Sequence, residues 1–192
     1  MNTQPSKKEL THARILDAAA RAIRRSGFEG VGVADVMKAA GLTHGGFYAH
    51  FESREAMLAE ALARAGSGGA ASLAKRVEDR ARGATTFRAI VEGYLSEAHL
   101  VSTESGCPVA ALASEMPRQS PELREASVRR VQSLVGKVLE ALPGPGAKEQ
   151  AMVIASTMVG ALQLARVLGA NAKGRSMLAA ARESLLATYD HG

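Results

Sequence analysis

The run from residue 31 to residue 58 constrains this chain most, because it holds a short amphipathic helix that ends abruptly at a glycine. Apolar side chains recur there at the spacing of one helix face, namely Val33, Val36, Met37 and Ala40. Gly41 follows at once, and a glycine can adopt the left-handed conformation that ends one helix and turns the chain steeply into the next. The pattern predicts a helix, a tight turn and a change of direction.

A second short helix is predicted directly after this turn. Thr43 is positioned to cap its N-terminus with the hydroxyl group. Phe47 and Phe51 lie four residues apart, so both rings face the core from the same side. Ser53 then offers the cap of a longer helix. Two short helices joined by a glycine turn form a helix-turn-helix, whose second helix enters the major groove of DNA.

The remainder of the chain is also predicted to be helical, which makes the expected fold all-α. Alanine, leucine, arginine and glutamate are abundant, and no alternating β-branched run occurs. Ser6 and Glu9 have the spacing of a capping box. Caps, prolines and glycines then separate about nine helices, expected at 7–26, 33–40, 44–50, 54–82 with an interruption at 66–69, 87–101, 108–116, 121–142, 147–169 and 175–188.

The residues around the turn resemble the tetracycline-repressor (TetR) family of bacterial transcription regulators. The matching residues are Gly41-Leu42-Thr43, then Phe47-Tyr48-Ala49-His50-Phe51, then Ser53-Arg54-Glu55-Ala56-Met57-Leu58. The resemblance implies a three-helix DNA-binding domain at 1–52 and a helical effector-binding and dimerisation domain at 53–192. It also implies a homodimer through helices 8 and 9, although the same two helices could simply complete the core of the monomer.

The resemblance places the DNA contacts on and around the second helix of the motif. Thr43 and His44 lie at its N-terminal end, where side chains reach base edges, and Tyr48 is expected to bind phosphate. Gly45 and Gly46 carry no side chain that could read a base, so few base contacts and a large share of phosphate and shape recognition are expected. The DNA-binding candidates are Lys7, Lys8, Lys38, Thr43, His44, Gly45, Gly46, Tyr48, His50 and Arg54.

Charge alone does not identify a DNA-binding surface here. The whole chain carries a formal net charge of +5, but basic and acidic side chains nearly balance over residues 1–60. Local clusters of lysine must therefore supply the attraction to phosphate. Arg21, Arg24 and Arg25, near the end of the first helix, are interpreted as an ordinary solvated face.

Cys107 is the single cysteine of the chain. It precedes Pro108 at a predicted helix N-terminus, where the helix dipole favours thiolate. One interpretation is a sensor of electrophiles or oxidants, and the other is a small buried hydrophobic residue. More broadly, the resemblance implies an effector pocket with apolar walls and a few polar groups. Its candidate residues are Phe87, Tyr94, His99, Cys107, Met116, Met158, Gln163 and Arg166.

The glycine cluster Gly66-Ser67-Gly68-Gly69 is predicted to interrupt the fourth helix. One interpretation is a hinge through which effector binding moves the DNA-binding domain. The other is a plain break between two helices.

Several classes of protein are not expected from this sequence. It has no nucleophile elbow, no P-loop and no dinucleotide-binding glycine motif, so neither an enzyme nor a bound cofactor or metal is predicted. The first ten residues are polar, and no apolar run of membrane-spanning length is evident. A single cysteine fits a reducing cytoplasm.

We therefore expect a cytoplasmic, homodimeric regulator that binds double-stranded operator DNA and responds to an unidentified small molecule or electrophile. Repression relieved by the effector is the expected mode. The alternative is a helical small-molecule or thiol sensor whose helix-turn-helix has weak DNA affinity or none.

Overall fold

The computed structural model describes residues 5–78 and 83–190, and these two ranges are helical and contain no strand. They form nine α-helices and two short 3-10 helices. The α-helices are α1 Lys7–Ser26, α2 Val33–Ala39, α3 Arg54–Glu78, α4 Thr86–Tyr94, α5 Glu97–Val101, α6 Pro108–Leu112, α7 Pro121–Leu139, α8 Ala147–Leu168 and α9 Ala172–Tyr189, and the 3-10 helices are His44–Ala49 and Met116–Arg118. The predicted all-α class is confirmed.

Local capping signals set several of these boundaries as predicted. Ser6 and Glu9 form both hydrogen bonds of a capping box, with Glu9 N donating to Ser6 Oγ at 3.2 Å and Ser6 N donating to Glu9 Oε2 at 2.7 Å. Ser53 Oγ accepts from Ala56 N at 3.0 Å at the start of α3. Gly41 adopts φ +71°, the left-handed conformation expected of the turn.

The second helix of the motif differs from the prediction, because His44–Ala49 is a 3-10 helix. Its bonds span three residues, as in Gly46 N to Thr43 O at 3.2 Å and His50 N to Phe47 O at 2.9 Å. Thr43 occupies the cap position, but its side chain makes no capping bond. Two adjacent glycines favour α-helix poorly, while the packing of Phe47 and Phe51 holds this segment in place.

The predicted interruption of the fourth helix at 66–69 is wrong, since α3 runs without a break from Arg54 to Glu78. Instead, Gly66 packs closely on α7, because a Cβ there would overlap the Arg130 guanidinium group. The glycine allows the guanidinium group to cross the helix. The predicted continuation as far as Arg82 lies partly outside the described residues, at 79–82.

Other helix limits are also corrected by local hydrogen bonds. The predicted helix 87–101 divides into α4 and α5, because Ser96 caps a new helix by accepting from His99 N at 3.2 Å. The predicted helix 108–116 ends at Leu112. The last helix begins three residues earlier than predicted, at Ala172, where Asn171 Oδ1 accepts from Lys173 N at 2.9 Å.

The buried side chains form two apolar cores. The first, which we call the head core, joins α1, α2, the 3-10 helix 44–49 and the first part of α3, with Phe28 fully buried at its centre. Leu112, Met116 and Leu123 also belong to it, so helices from the C-terminal part pack directly on the N-terminal helices. The second core, the C-terminal core, unites α4 to α9 around residues such as Ile154 and Leu162.

Helix α8 is both long and apolar. It has 22 residues and contains a window of mean hydropathy 1.6, so length and composition alone would allow it to cross a membrane. The buried core helix of a soluble protein passes the same test. Here Ile154, Met158, Leu162 and Ala165 pack into the C-terminal core.

Candidate nucleic-acid interface and effector region

One exposed surface gathers most of the predicted groove-facing residues. Phe47 is buried in the head core and anchors the 3-10 helix from beneath. On the outer side Tyr48 is 76% exposed, which is unusual for a large aromatic residue. Exposed beside it are Thr43, His44, Gly45 and Ala49, with Gly46 half-buried. We call these residues, 43–49 without Phe47, the reading surface.

The lysine candidates lie on the flanking helices. Lys7 and Lys8 are exposed in the first turn of α1, and Lys38 is exposed in the last turn of α2. The N-terminus of α2 is capped by Gly32 without a side-chain bond. Its backbone amides alone can therefore face an anion there.

His50 lies behind the reading surface and is half-buried. Its Nδ1 atom is buried without a hydrogen-bond partner. Burial, followed by the charges of His12 and Lys8, lowers the pKa of His50, so its ring is neutral near pH 7. His12 Nε2 in turn bonds Glu60 Oε2 at 2.8 Å, and the His12 ring stacks on Phe51 with centroids 4.6 Å apart. His50 is thus part of an aromatic and histidine cluster between α1 and α3.

Arg54 is engaged within the fold. Its Nη2 donates to Phe28 O at 2.5 Å and its Nε to Val31 O at 3.1 Å, while Nη1 lies 3.5 Å from Glu55 Oε1. These bonds tie the loop between α1 and α2 to the start of α3. Only a part of its guanidinium group is left to meet a phosphate.

In the C-terminal part the structure brings four of the predicted effector residues together. We call Tyr94, His99, Cys107 and Arg166 the thiol cluster. The Tyr94 and His99 rings meet edge to face with centroids 4.7 Å apart. His99 Nδ1 lies 2.7 Å from Tyr94 O, so it carries the proton, and His99 Nε2 accepts from Cys107 N at 2.9 Å. Arg166 Nη2 donates to His99 O at 2.9 Å.

Electrostatics link the members of the thiol cluster. Burial, then a negative charge at Cys107 and a weak hydrogen bond to the Cys107 sulfur, raise the pKa of the Tyr94 hydroxyl well above its ordinary value. Burial lowers the pKa of the Arg166 guanidinium group, whereas the electrostatic interactions with Tyr94 and Cys107 raise it. The Tyr94 hydroxyl and Arg166 Nε are both buried without a well-formed hydrogen bond. The cluster therefore offers two donors that lack a strong acceptor.

The other four effector candidates do not join this cluster. Met116 belongs to the head core. Phe87 packs against Tyr189, with ring centroids 6.4 Å apart. Met158 is fully buried in the C-terminal core, and Gln163 lies half-buried on α8, one turn before Arg166.

The sequence interpretation missed the role of Arg24. Instead of lying on a solvated face, this side chain is half-buried and donates from Nε to Glu104 O at 2.5 Å and from Nη1 to Ala65 O at 3.2 Å. Arg25 agrees better with the prediction, since it is exposed and its Nη1 lies 3.4 Å from Glu104 Oε1. Nothing in the local sequence distinguishes Arg24 from its neighbours, because its partners lie on distant segments.

An open groove between α3 and α7 was also not predicted. It encloses about 440 Å³, has an alanine floor and carries charged groups at its rim. Its lining residues are Ala56, Ala59, Glu60, Ala63, Glu122, Ala126, Arg129 and Arg130. None of the effector candidates lies in it.

Comparison with known proteins assigns a family to both parts of the chain. Residues 15–61 match the model of the bacterial regulatory proteins of the tetR family. Residues 83–182 match the C-terminal domain of LmrA/YxaF-like transcriptional regulators. Two uncharacterised HTH-type transcriptional regulators of Mycobacterium tuberculosis, from strains CDC 1551 and H37Rv, are each 28% identical over 165 residues, which cover 80% of this chain and 83% of theirs.

Solved structures agree in fold over nearly the whole chain. A TetR transcriptional regulator from Chloroflexus aurantiacus superposes with a TM-score of 0.78 at 26% identity, covering 96% of both chains. Escherichia coli NemR in its reduced form gives 0.74 at 21% identity, covering 91% of this chain and 94% of that one. With a helix-turn-helix that exposes its reading surface, and with both domain models matched in order, the chain belongs to the TetR family of transcriptional regulators.

Proposed function

We propose that the protein is a cytoplasmic, homodimeric repressor that leaves its operator DNA when an effector acts on the C-terminal helices. The observation that carries the proposal is the reading surface, where exposed Tyr48 and polar neighbours stand on a buried Phe47 anchor. A rigid support beneath an exposed polar face is what insertion into a DNA groove requires. The family match supports the regulator class.

The proposed DNA contacts fall into two groups. Thr43 and His44 reach base edges, and the absence of a capping bond leaves the Thr43 hydroxyl free to do so. Lys7, Lys8 and Lys38 bind phosphates, as does the Tyr48 hydroxyl. Arg54 and His50 act mainly by holding the reading surface in place, because Arg54 donates to two backbone carbonyls and the His50 ring packs beside His12 and Phe51.

Dimerisation through α8 and α9 is supported by an apolar stripe on the outer face of α8. Val153, Leu164 and Val167 are 54%, 56% and 85% exposed, and they recur at helical spacing. The outer face of α9 presents small side chains such as Ser176, Ala180 and Ala187, which permit close helix packing. A two-fold dimer would place two reading surfaces on successive major grooves, about 34–36 Å apart.

The dimer is tested by light scattering of a Val167→Glu variant. A charge at the most exposed position of the stripe should yield monomers, because it cannot be buried unpaired. Val101→Glu serves as the control, since Val101 is an exposed apolar residue on α5 outside the stripe. A dimeric Val167→Glu protein would argue against this interface.

The effector is proposed to act at the thiol cluster. Its two unpaired donors and its thiol provide the polar groups, and Met158 and Gln163 lie on the same helix as Arg166. Both a reversible small molecule and an electrophile that reacts with Cys107 fit this chemistry.

The function is tested by fluorescence anisotropy with the protein's own upstream DNA and a scrambled control at two salt concentrations. Selective binding that weakens with salt is expected, because phosphate contacts release counterions. Lys38→Ala should reduce the salt slope by about 0.9 for each lost phosphate contact, whereas Arg129→Ala, exposed on α7, should not. His44→Ala should instead reduce selectivity.

A second candidate function is a helical sensor with little DNA affinity. The observation that favours it is the pair Gly45 and Gly46, which leaves two positions of the reading surface without side chains. Equal and feeble binding to both DNAs, and to a selected pool of genomic fragments, would support the sensor over the repressor.

A further inference from the structure

Two buried hydrogen-bond donors lie beside Cys107 and lack a strong acceptor. Tyr94 is only 5% exposed, and its hydroxyl interacts with the Cys107 sulfur, a weak acceptor, without a well-formed hydrogen bond. Nε of Arg166 has no hydrogen-bond partner among the described residues. Both groups interact electrostatically with the Cys107 sulfur. Unpaired buried donors are uncommon in folded proteins and are unfavourable. They indicate an acceptor that the reduced thiol, a weak acceptor, does not provide.

We propose that Cys107 is an oxidation site for peroxides, at which the oxygen added to sulfur accepts hydrogen bonds from the Tyr94 hydroxyl and Arg166 Nε. The inference rests on the proposed function for its consequence at DNA, since it names the chemical class of one effector. The chemistry at the sulfur itself does not depend on DNA binding.

The reaction balances with a peroxide as the only co-reactant. The Cys107 thiolate attacks the terminal oxygen of the peroxide, so an S–O bond forms as the O–O bond breaks. The sulfur loses two electrons to the departing oxygen, which takes up the proton released by the thiol and leaves as water or an alcohol. The product is a sulfenic acid. Arg24, Lys137 and Arg166 each interact favourably with a negative charge on this sulfur.

The surroundings of Cys107 restrict what happens to the product. The chain contains no second cysteine, so no disulfide forms within it. The next residue is Pro108, which lacks the backbone N–H that would let a sulfenic acid cyclise onto the following peptide. The oxidised sulfur therefore persists until an external thiol reduces it, and the two free donors stabilise it in the meantime.

The loop of residues 102–106, directly before Cys107, connects this site to α1 through hydrogen bonds. Arg166 of α8 donates from Nη2 to Ser102 O at 3.2 Å. Arg24 of α1 donates from Nε to Glu104 O at 2.5 Å. Space is tight as well, since a Cβ on Gly106 would lie 2.7 Å from His99 Nε2 and 2.8 Å from Arg166 Nη2. When Arg166 turns toward an oxygen on Cys107, this loop moves and Arg24 passes the movement to α1.

The chemistry is tested by treating the protein with hydrogen peroxide, trapping sulfenic acid with a dimedone probe and measuring the adduct by mass spectrometry. Tyr94→Phe should reduce the yield of trapped Cys107 about tenfold, because it removes one buried hydrogen bond to the oxygen of the product. Tyr189→Phe, a half-buried tyrosine packed on Phe87, should match the wild type. A Tyr94→Phe protein that is trapped as efficiently as the wild type would overturn the proposal.

The path to α1 is tested by hydrogen–deuterium exchange after peroxide treatment. Exchange near the end of α1 should rise in the wild type and in Arg21→Gln, an exposed neighbour, but not in Arg24→Gln. If Arg24→Gln does not fold, Arg24→Lys takes its place, because it keeps the charge but loses the paired donors. An α1 that exchanges identically before and after oxidation would overturn the path. Neither measurement contains DNA, so an oxidised protein that still binds its operator would count against the proposed function alone.

Discussion

The head core and the thiol cluster differ in how well their buried polar groups are hydrogen-bonded. In the head, Arg54 donates to Phe28 O and Val31 O, and the Glu115 carboxylate accepts from Phe28 N at 2.8 Å. In the thiol cluster, the Tyr94 hydroxyl and Arg166 Nε make no well-formed hydrogen bond. Pairing rigidifies a structure, whereas poorly paired buried groups lower its stability and persist where they have a role. We therefore expect the head to act as a fixed support, and we propose that the response to an effector begins in the thiol cluster.

The largest effect is expected for Arg54→Ala. The variant should lose about 2–3 kcal/mol of unfolding free energy, because two backbone carbonyls lose a charged donor. Urea denaturation followed by circular dichroism measures the loss, with Arg14→Ala on the exposed side of α1 as the control. If the two variants were equally stable, the hydrogen bonds of Arg54 would not stabilise the head more than an exposed arginine does.

Gly106→Ala should have the next largest effect, about 1–2 kcal/mol, because the new methyl group has no room beside His99 and Arg166. Gly136→Ala is the matched control, since a Cβ at that helical glycine meets nothing within 4 Å. This control should gain stability by about 0.5–1 kcal/mol, as expected of alanine in a helix. A Gly106→Ala protein as stable as the wild type would show that the loop before Cys107 is loosely packed.

Tyr94→Phe should change the unfolding free energy by less than about 0.5 kcal/mol, since the hydroxyl has only a weak sulfur acceptor to lose. Thr85→Val provides the contrast. Thr85 caps α4 by accepting from Arg88 N at 2.9 Å and donates to Asp190 Oδ1 at 2.5 Å, so its loss should cost about 1 kcal/mol. A large destabilisation by Tyr94→Phe would mean that its hydroxyl is already satisfied in the reduced protein.

The smallest effect on stability is expected for His50, whose Nδ1 atom is buried in the head without a hydrogen-bond partner. Its pKa in the folded protein is lowered from 6.5, so the unfolded chain binds this proton more tightly. The contribution of His50 to stability is thus complete above about pH 6.5 and is lost as the pH falls toward the folded-state pKa. Urea midpoints at about pH 7.5 and about pH 5.5 should differ less in His50→Gln than in the wild type or in His44→Gln, an exposed control. Equal differences in all three proteins would contradict this reading of the buried ring.

Much of the DNA-binding part could be predicted because its signals are local. Ser6, Gly41 and Ser53 each act on neighbours within a few residues, and the structure confirms all three. The 3-10 form of 44–49 was not predicted, because residue spacing alone does not separate it from a short α-helix.

In the C-terminal part, the sequence suggested Tyr94, His99, Cys107 and Arg166 as effector residues but also Phe87 and Met116, which lie elsewhere. Composition can suggest residue types for a pocket, and only packing selects which of them meet. The proposed dimer helices and domain limits, 1–52 and 53–192, remain predictions.

What the sequence by itself determined is the all-α class, the helix-turn-helix and most helix starts, since caps, glycines and apolar periodicity act over a single helical turn. Tertiary structure alone decided that α3 passes unbroken through its glycines, and that Arg130 of α7 lies against Gly66. It also decided that Arg24 joins α1 to the loop before Cys107. Both contacts join residues far apart in the chain, and such pairings depend on how the helices pack.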